Sequence, residues 1–159
     1  MTRPLVRPFI RPPIKPLKAL AWPIVVLAMV AGLALPAAAA DFTDGDAPAI
    51  RTVIQDQINA FQRDDGTTAY SYASPSIKQV FPSVGAFMDM VRGGYQPVYH
   101  PRSVTFGALA EGPTGPEQKV FLVGPDGRSW VALYTLQRQS DGSWKINRCL
   151  LVPNNAPSA

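Results

Sequence analysis

Few residues of this chain could move a proton near neutral pH. His100, in Tyr99-His100-Pro101-Arg102, is the single histidine, and Asp64-Asp65 is the one adjacent pair of carboxylates. An imidazole titrates close to neutrality and can act as acid or base. A carboxylate does the same when an apolar site raises its pKa. No spacing pairs His100 with a carboxylate, and Asp64-Asp65-Gly66 reads as a helix end, where carboxylates cap, form Asx turns and face water. No catalytic set is therefore expected. Tyrosine joins an apolar body to a polar tip, so the aromatic group Tyr70, Tyr72, Phe87, Tyr95 and Tyr99 is the better source of a ligand pocket. Tyr72, Tyr95, Tyr99, His100 and Arg102 are its candidate residues, with Arg148 as a second possible anion-binding group. Cys149 is the only cysteine, so no internal disulfide forms, and with one histidine a Cys/His zinc site is excluded. A buried small hydrophobe is the expected role of Cys149. Neither a metal nor a cofactor is expected.

Helices must position the first of these residues. Ile50, Val53, Ile54, Ile58 and Phe61 recur at helical spacing, with Arg51, Gln55, Asp56, Gln62 and Arg63 on the other side. Asp46 and Pro48 suit the start of this helix and Asp64-Asp65-Gly66 its end. A short second helix is expected over residues 67–73, broken at Ser74-Pro75. After a brief segment to Phe81, Ser83 opens a third, with Val84, Phe87, Met88 and Val91 in one stripe and Gly93-Gly94 as its stop.

From Tyr95 the period changes to two. Residues 98–106, 119–123, 129–139 and 143–152 are the expected strands, rich in branched and aromatic side chains. The Gly- and Pro-rich stretch 111–116 reads as a longer loop between the first two. Asp126-Gly127 and Asp141-Gly142 read as two-residue hairpin turns. Those turns place Val120, Leu122, Val131, Leu133, Trp144, Ile146, Leu150 and Val152 on one face. Phe121, Val123, Trp130, Ala132, Tyr134, Leu136, Cys149 and Leu151 take the other, unless a bulge exchanges members. The fold class is α+β: three N-terminal helices packed on a four-stranded antiparallel sheet. With both faces apolar and one covered by helices, a homodimer through the sheet is the expected partner.

The first forty residues carry an address. Arg3, Arg7, Arg11, Lys15 and Lys18 fall in a charged segment over residues 1–18, an apolar run follows over 19–35, and small residues lead to cleavage after Ala40. Residues 41–152 are then one α+β domain and 153–159 a flexible tail. The expected location is the periplasm or the medium. The alternative is the inner membrane, with residues 19–35 retained as a single span. Five of the 15 basic and none of the 11 acidic residues precede Asp41, which leaves ten basic and eleven acidic groups from Asp41 onward, a net charge of −1. A nearly neutral domain lacks the basic stripe that phosphate binding needs, so nucleic acid is not an expected partner.

The run Ile50 to Ala60 followed by Phe61-Gln62-Arg63-Asp64-Asp65, the stretch Tyr70 to Pro75, the segment Met90 to Tyr95 and the closing Asp141-Gly142-Ser143-Trp144-Lys145-Ile146-Asn147-Arg148-Cys149 resemble an exported proteobacterial family of unknown function. The resemblance covers most of residues 48–152. The helix-then-sheet order and the closing strand are similar to the cone-shaped, SnoaL-like fold of nuclear transport factor two and the polyketide cyclases. That resemblance implies a curved sheet wrapped around helices to form a pocket, and dimerisation through the sheet. Isomerases, dehydratases, hydrolases and non-catalytic binding modules share the fold, so it does not select among them. No residue here matches the catalytic motif of the ketosteroid isomerase relatives, and no catalytic role is carried over. The expected function is an exported, non-enzymatic binding or accessory module for a small apolar or anionic ligand. Two alternatives stand beside it: a small-molecule isomerase or hydratase, which needs His100 or Asp64/Asp65 inside the cavity, and a membrane-tethered envelope-assembly module.

Overall fold

Ile50, Ile54, Ile58 and Phe61 line one side of a 16-residue helix, α1 (Ala47–Gln62), and each is at most 2% exposed. The computed structural model describes residues 42–154; the expected export signal, its expected cleavage point and residues 155–159 lie outside them. Asp46 does not cap α1 as expected, because its backbone is already helical and its carboxylate turns backward. It accepts hydrogen bonds from Thr43 N (2.9 Å) and Oγ1 (3.0 Å), Arg138 Nη2 (2.8 Å) and Trp144 Nε1 (3.4 Å), which pins the start of the domain to the sheet.

Among the described residues, five α-helices stand where three helices were expected. α2 (Gly66–Ser71) is capped by Asp65, whose carboxylate accepts from Thr68 N at 3.0 Å. The segment between the second and third expected helices is itself helical, α3 (Pro75–Val80), because Ser74 Oγ accepts from Ile77 N and Pro75 suits the first turn. α4 (Val84–Gly94) follows with Ser83 as its cap and Phe87, Met88 and Val91 buried. The fifth, α5 (Gln96–Tyr99), takes residues read as the start of a strand; four residues are too few to show a helical period.

The sheet has the order β1-β2-β3-β4, all antiparallel: β1 (Ser103–Gly112), β2 (Gly115–Val123), β3 (Ser129–Arg138) and β4 (Trp144–Pro153). The expected long loop at 111–116 is instead a tight hairpin, with Glu111 opposite Pro116 and Gly112 opposite Gly115. Gly115 makes it possible at φ 122°, a conformation closed to other residues. β4 runs one residue past the expected boundary, and Asn154 N still donates to Ser129 O.

The sheet faces differ from the expected sets because both Asp-Gly turns hold three residues. Gly124 N donates to Arg128 O and Gln139 N to Ser143 O, with Gly127 and Gly142 left-handed at φ 81° and 82°. This is the geometry of a type I turn followed by a glycine bulge. Val120 therefore faces Ala132, not Leu133, and the whole of β2 changes face relative to β3. A second irregularity between Thr135 and Leu136 restores the expected register toward the far end of β4. The helix-facing side carries Val120, Leu122, Ala132, Tyr134, Leu136, Trp144 and Ile146, all buried. The other side carries Phe121, Val131, Leu133, Leu150 and Val152, with Phe121 39% and Leu150 41% exposed.

Candidate functional site

The apolar stripes of α1 and α4 do not close completely on the sheet. Between Gln57 and Phe61 of α1, Phe87 and Val91 of α4, and Tyr134 and Cys149 of β3 and β4, a cavity of about 280 Å³ remains. Ile77 of α3 and Phe81 close one side; half-buried Met90 and exposed Arg148 mark its mouth. The irregularity in β3–β4 puts Asn147 and Arg148 in this wall, as bulges do when they re-aim side chains. An engineered apolar cavity of about 150 Å³ already takes benzene, so this space suits a two-ring molecule.

Its polar groups are few and mostly committed. Gln57 Nε2 donates to Ala69 O at 3.1 Å, holding α1 to α2. Tyr95 Oη donates to Cys149 O at 3.1 Å, tying the end of α4 to β4, and burial raises its phenol pKa. Asn147 Oδ1 accepts from Ser74 Oγ at 2.8 Å, where the α2–α3 junction pairs with β4 through Ser74 N and Ile146 O. Burial pushes the Cys149 thiol up to about 12, with Tyr134 beside it offsetting part of the rise. A thiol so placed stays protonated and is a poor nucleophile.

Among the described residues, two buried side-chain polar atoms lack a hydrogen-bond partner, Tyr134 Oη and Trp130 Nε1. Trp130 Nε1 points at the Gly124 turn beneath the Arg128 guanidinium, away from the cavity. Tyr134 is in the cavity wall and 1% exposed, and burial holds its phenol pKa well above the usual range.

Of the five candidate pocket residues, Tyr95 alone is in this wall. Tyr72 reaches Asp56 at 3.4 Å instead. Arg102 is exposed beside the Gly127 turn, its amide donating to Val123 O. Tyr99 and His100 meet the carboxylate considered with them, but outside the cavity. Tyr99 Oη donates to Asp64 Oδ1, Arg92 Nε donates to Tyr99 Oη at 3.2 Å, and His100 Nε2 lies 3.7 Å from the same Asp64 oxygen. The short helix α5 produces this meeting, because it turns Tyr99 back onto the end of α1, where Asp64 takes a left-handed φ of 58°. The His100 and Asp64 side chains are 43% and 65% exposed, so water solvates both, and neither is in the wall of the cavity. Sequence reasoning placed Tyr134 on the right strand face but did not single it out. A lone tyrosine among inward Ala132, Leu136 and Cys149 was the available signal.

Residues 43–159 match the family described as Domain of unknown function (DUF4864), and the chain belongs to that family. No curated protein matches the sequence. Among solved structures the chain is similar to the 2.1 Å structure of ActVI-ORFA from Streptomyces coelicolor, at 12% identity and a TM-score of 0.45, over 72% of this chain and 99% of that one.

Proposed function

We propose that this domain is an exported, non-enzymatic binding or accessory module that takes a small, largely apolar ligand into the cavity between α1, α4 and β3–β4. One observation carries the reading: among the described residues, the wall contains no Asp, Glu, His or Lys. Acid–base catalysis needs a titratable group within about 3 Å of the transferred proton, or one water away. Here the groups in reach are a high-pKa thiol and phenols whose protons stay on at neutral pH. Arg148 at the mouth would meet any anionic end that a ligand leaves outside. A second copy would cover the outer sheet face, where Phe121, Val131, Leu133, Leu150 and Val152 form an apolar surface.

The binding reading is tested by titrating residues 41–159 with 2-isopropylnaphthalene under amide NMR. Shifts concentrated at residues 57–61, 87–98 and 146–149 are expected. Saturation without shifts there, or no binding at the solubility limit, contradicts it. Export is tested on protein recovered from the native envelope, where mass spectrometry should find Asp41 as the first residue; a full-length chain in the membrane fraction would favour the tethered alternative.

A further inference from the structure

Tyr134 sits near the middle of β3, opposite Gln118 on one side and Cys149 on the other. Gln118 cannot serve it. Its Nε2 donates to the carbonyls of Gly107, Ala108 and Lys119, and its Oε1 accepts from Arg51 Nε at 3.4 Å. Tyr95 Oη donates to Cys149 O and Gln57 Nε2 to Ala69 O, and the oxygen of neither residue accepts from the Tyr134 hydroxyl. The Cys149 thiol interacts with the phenol as a weak sulfur acceptor, short of a hydrogen bond of ordinary geometry. A phenol 1% exposed is thus left without an oxygen or nitrogen acceptor in a residue that lines an apolar cavity. Leaving a buried donor unmatched is destabilising, and such groups are rare in folded proteins.

Resting on the binding reading above, we infer that Tyr134 is the specificity-determining residue of the cavity, and that the ligand it selects is an apolar ring compound bearing an uncharged oxygen acceptor that takes the Tyr134 hydroxyl proton in a hydrogen bond. The phenol remains a donor throughout the physiological range, since burial opposes its ionisation. An ionised group at that depth would be desolvated with no cation beside it, which leaves a neutral oxygen as the matching partner.

The test uses two probes of nearly the same shape, 2-acetylnaphthalene and 2-isopropylnaphthalene, which differ in a carbonyl oxygen against a methyl group. Calorimetric titration of the wild type should show the ketone binding roughly tenfold more tightly, the ratio expected of one net hydrogen bond. In Tyr134→Phe the two probes should bind with a ratio near one, while affinity for the hydrocarbon stays within about twofold. The free variant should melt at or above the wild-type temperature, because the lost hydroxyl had no partner. Equal affinity of both probes for the wild type overturns the inference while leaving the cavity reading intact. So does a ketone preference that survives in Tyr134→Phe, or a lowered melting temperature of that variant, which would mean the hydroxyl is bonded within the fold. Failure of both probes to bind overturns the cavity reading itself, and the inference with it.

Discussion

Phe61 separates the hydrophobic core from the cavity, so replacing it by alanine tests how the two are joined. The ring is 2% exposed and stacks on Phe87 with centroids 6.1 Å apart at 28°, while Tyr99 tilts against it at 6.0 Å and 60°. Truncating a fully packed phenylalanine costs about 3–5 kcal/mol through lost transfer free energy and the void left behind. Aromatic pairing adds roughly 0.5–1.5 kcal/mol per contact beyond area. Part of this ring already faces empty space, so those atoms have fewer contacts to lose. The expected loss for Phe61→Ala is therefore about 3 kcal/mol, a large share of the roughly 5–15 kcal/mol that holds a domain of this size. Urea unfolding of residues 41–159, followed by tryptophan fluorescence and circular dichroism, measures it. The slope of free energy on denaturant should stay near that of the wild type while the midpoint falls. Ile58→Ala, at a 0% exposed position behind the cavity wall, gives the comparison for a site packed on all sides. A further check is linkage: at a probe concentration about a hundredfold above its dissociation constant, 2-isopropylnaphthalene should restore about 2.7 kcal/mol to Phe61→Ala. A loss below about 1 kcal/mol, or no restoration at saturation, refutes the placement of Phe61 between core and cavity.

Gly115→Ala should destabilise the domain on the order of 2 kcal/mol in the same assay, since φ is 122° and the new Cβ would lie 2.6 Å from Leu136 O. Cys149 predicts an alkaline limb in stability. Its folded pKa is raised from 9.0 to about 12, so the folded state keeps a proton that the unfolded chain loses. The contribution is whole below pH 9 and declines by up to about 1.4 kcal/mol per pH unit as pH rises toward 12, a slope that Cys149→Ala should reduce. Asp46 predicts the opposite limb: its carboxyl is held low, first by the Thr43 amide, so stability falls as pH drops below about 4, and Asp46→Asn should flatten that fall. Sedimentation at micromolar concentration should find a dimer that the double variant Phe121→Lys, Leu150→Lys converts to monomer without loss of helix content; a monomeric wild type contradicts the sheet-to-sheet proposal.

What could be read in the sequence follows the length over which each signal repeats. Ile50, Ile54, Ile58 and Phe61 recur through more than three turns, and α1 lies where that period puts it. α5 has one turn, too short for its period to repeat, and so Tyr99 and His100 were assigned to a strand that begins only at Ser103. Asp-Gly marked the second and third hairpins, but the dipeptide fits a two-residue turn and a three-residue turn with a bulge alike. One residue of difference reverses a strand, which is why Leu122 and Leu133 were expected on one face and occupy opposite ones. The cavity was least legible. Tyr95 was found because a tyrosine joins an apolar body to a polar tip. Tyr134 was not, because a missing hydrogen bond is a property of the surroundings and leaves no mark on sequence spacing.

The central claim is that the cavity beneath α1 and α4 is a ligand site organised by Tyr134. Its most direct test is a crystal structure of residues 41–159 with 2-acetylnaphthalene. The predicted result is the ring system between Phe61, Val91 and Cys149, with the carbonyl oxygen about 2.7–2.8 Å from Tyr134 Oη. A probe found only at the outer sheet face, or seated in the cavity with its oxygen turned away from Tyr134, would contradict the account.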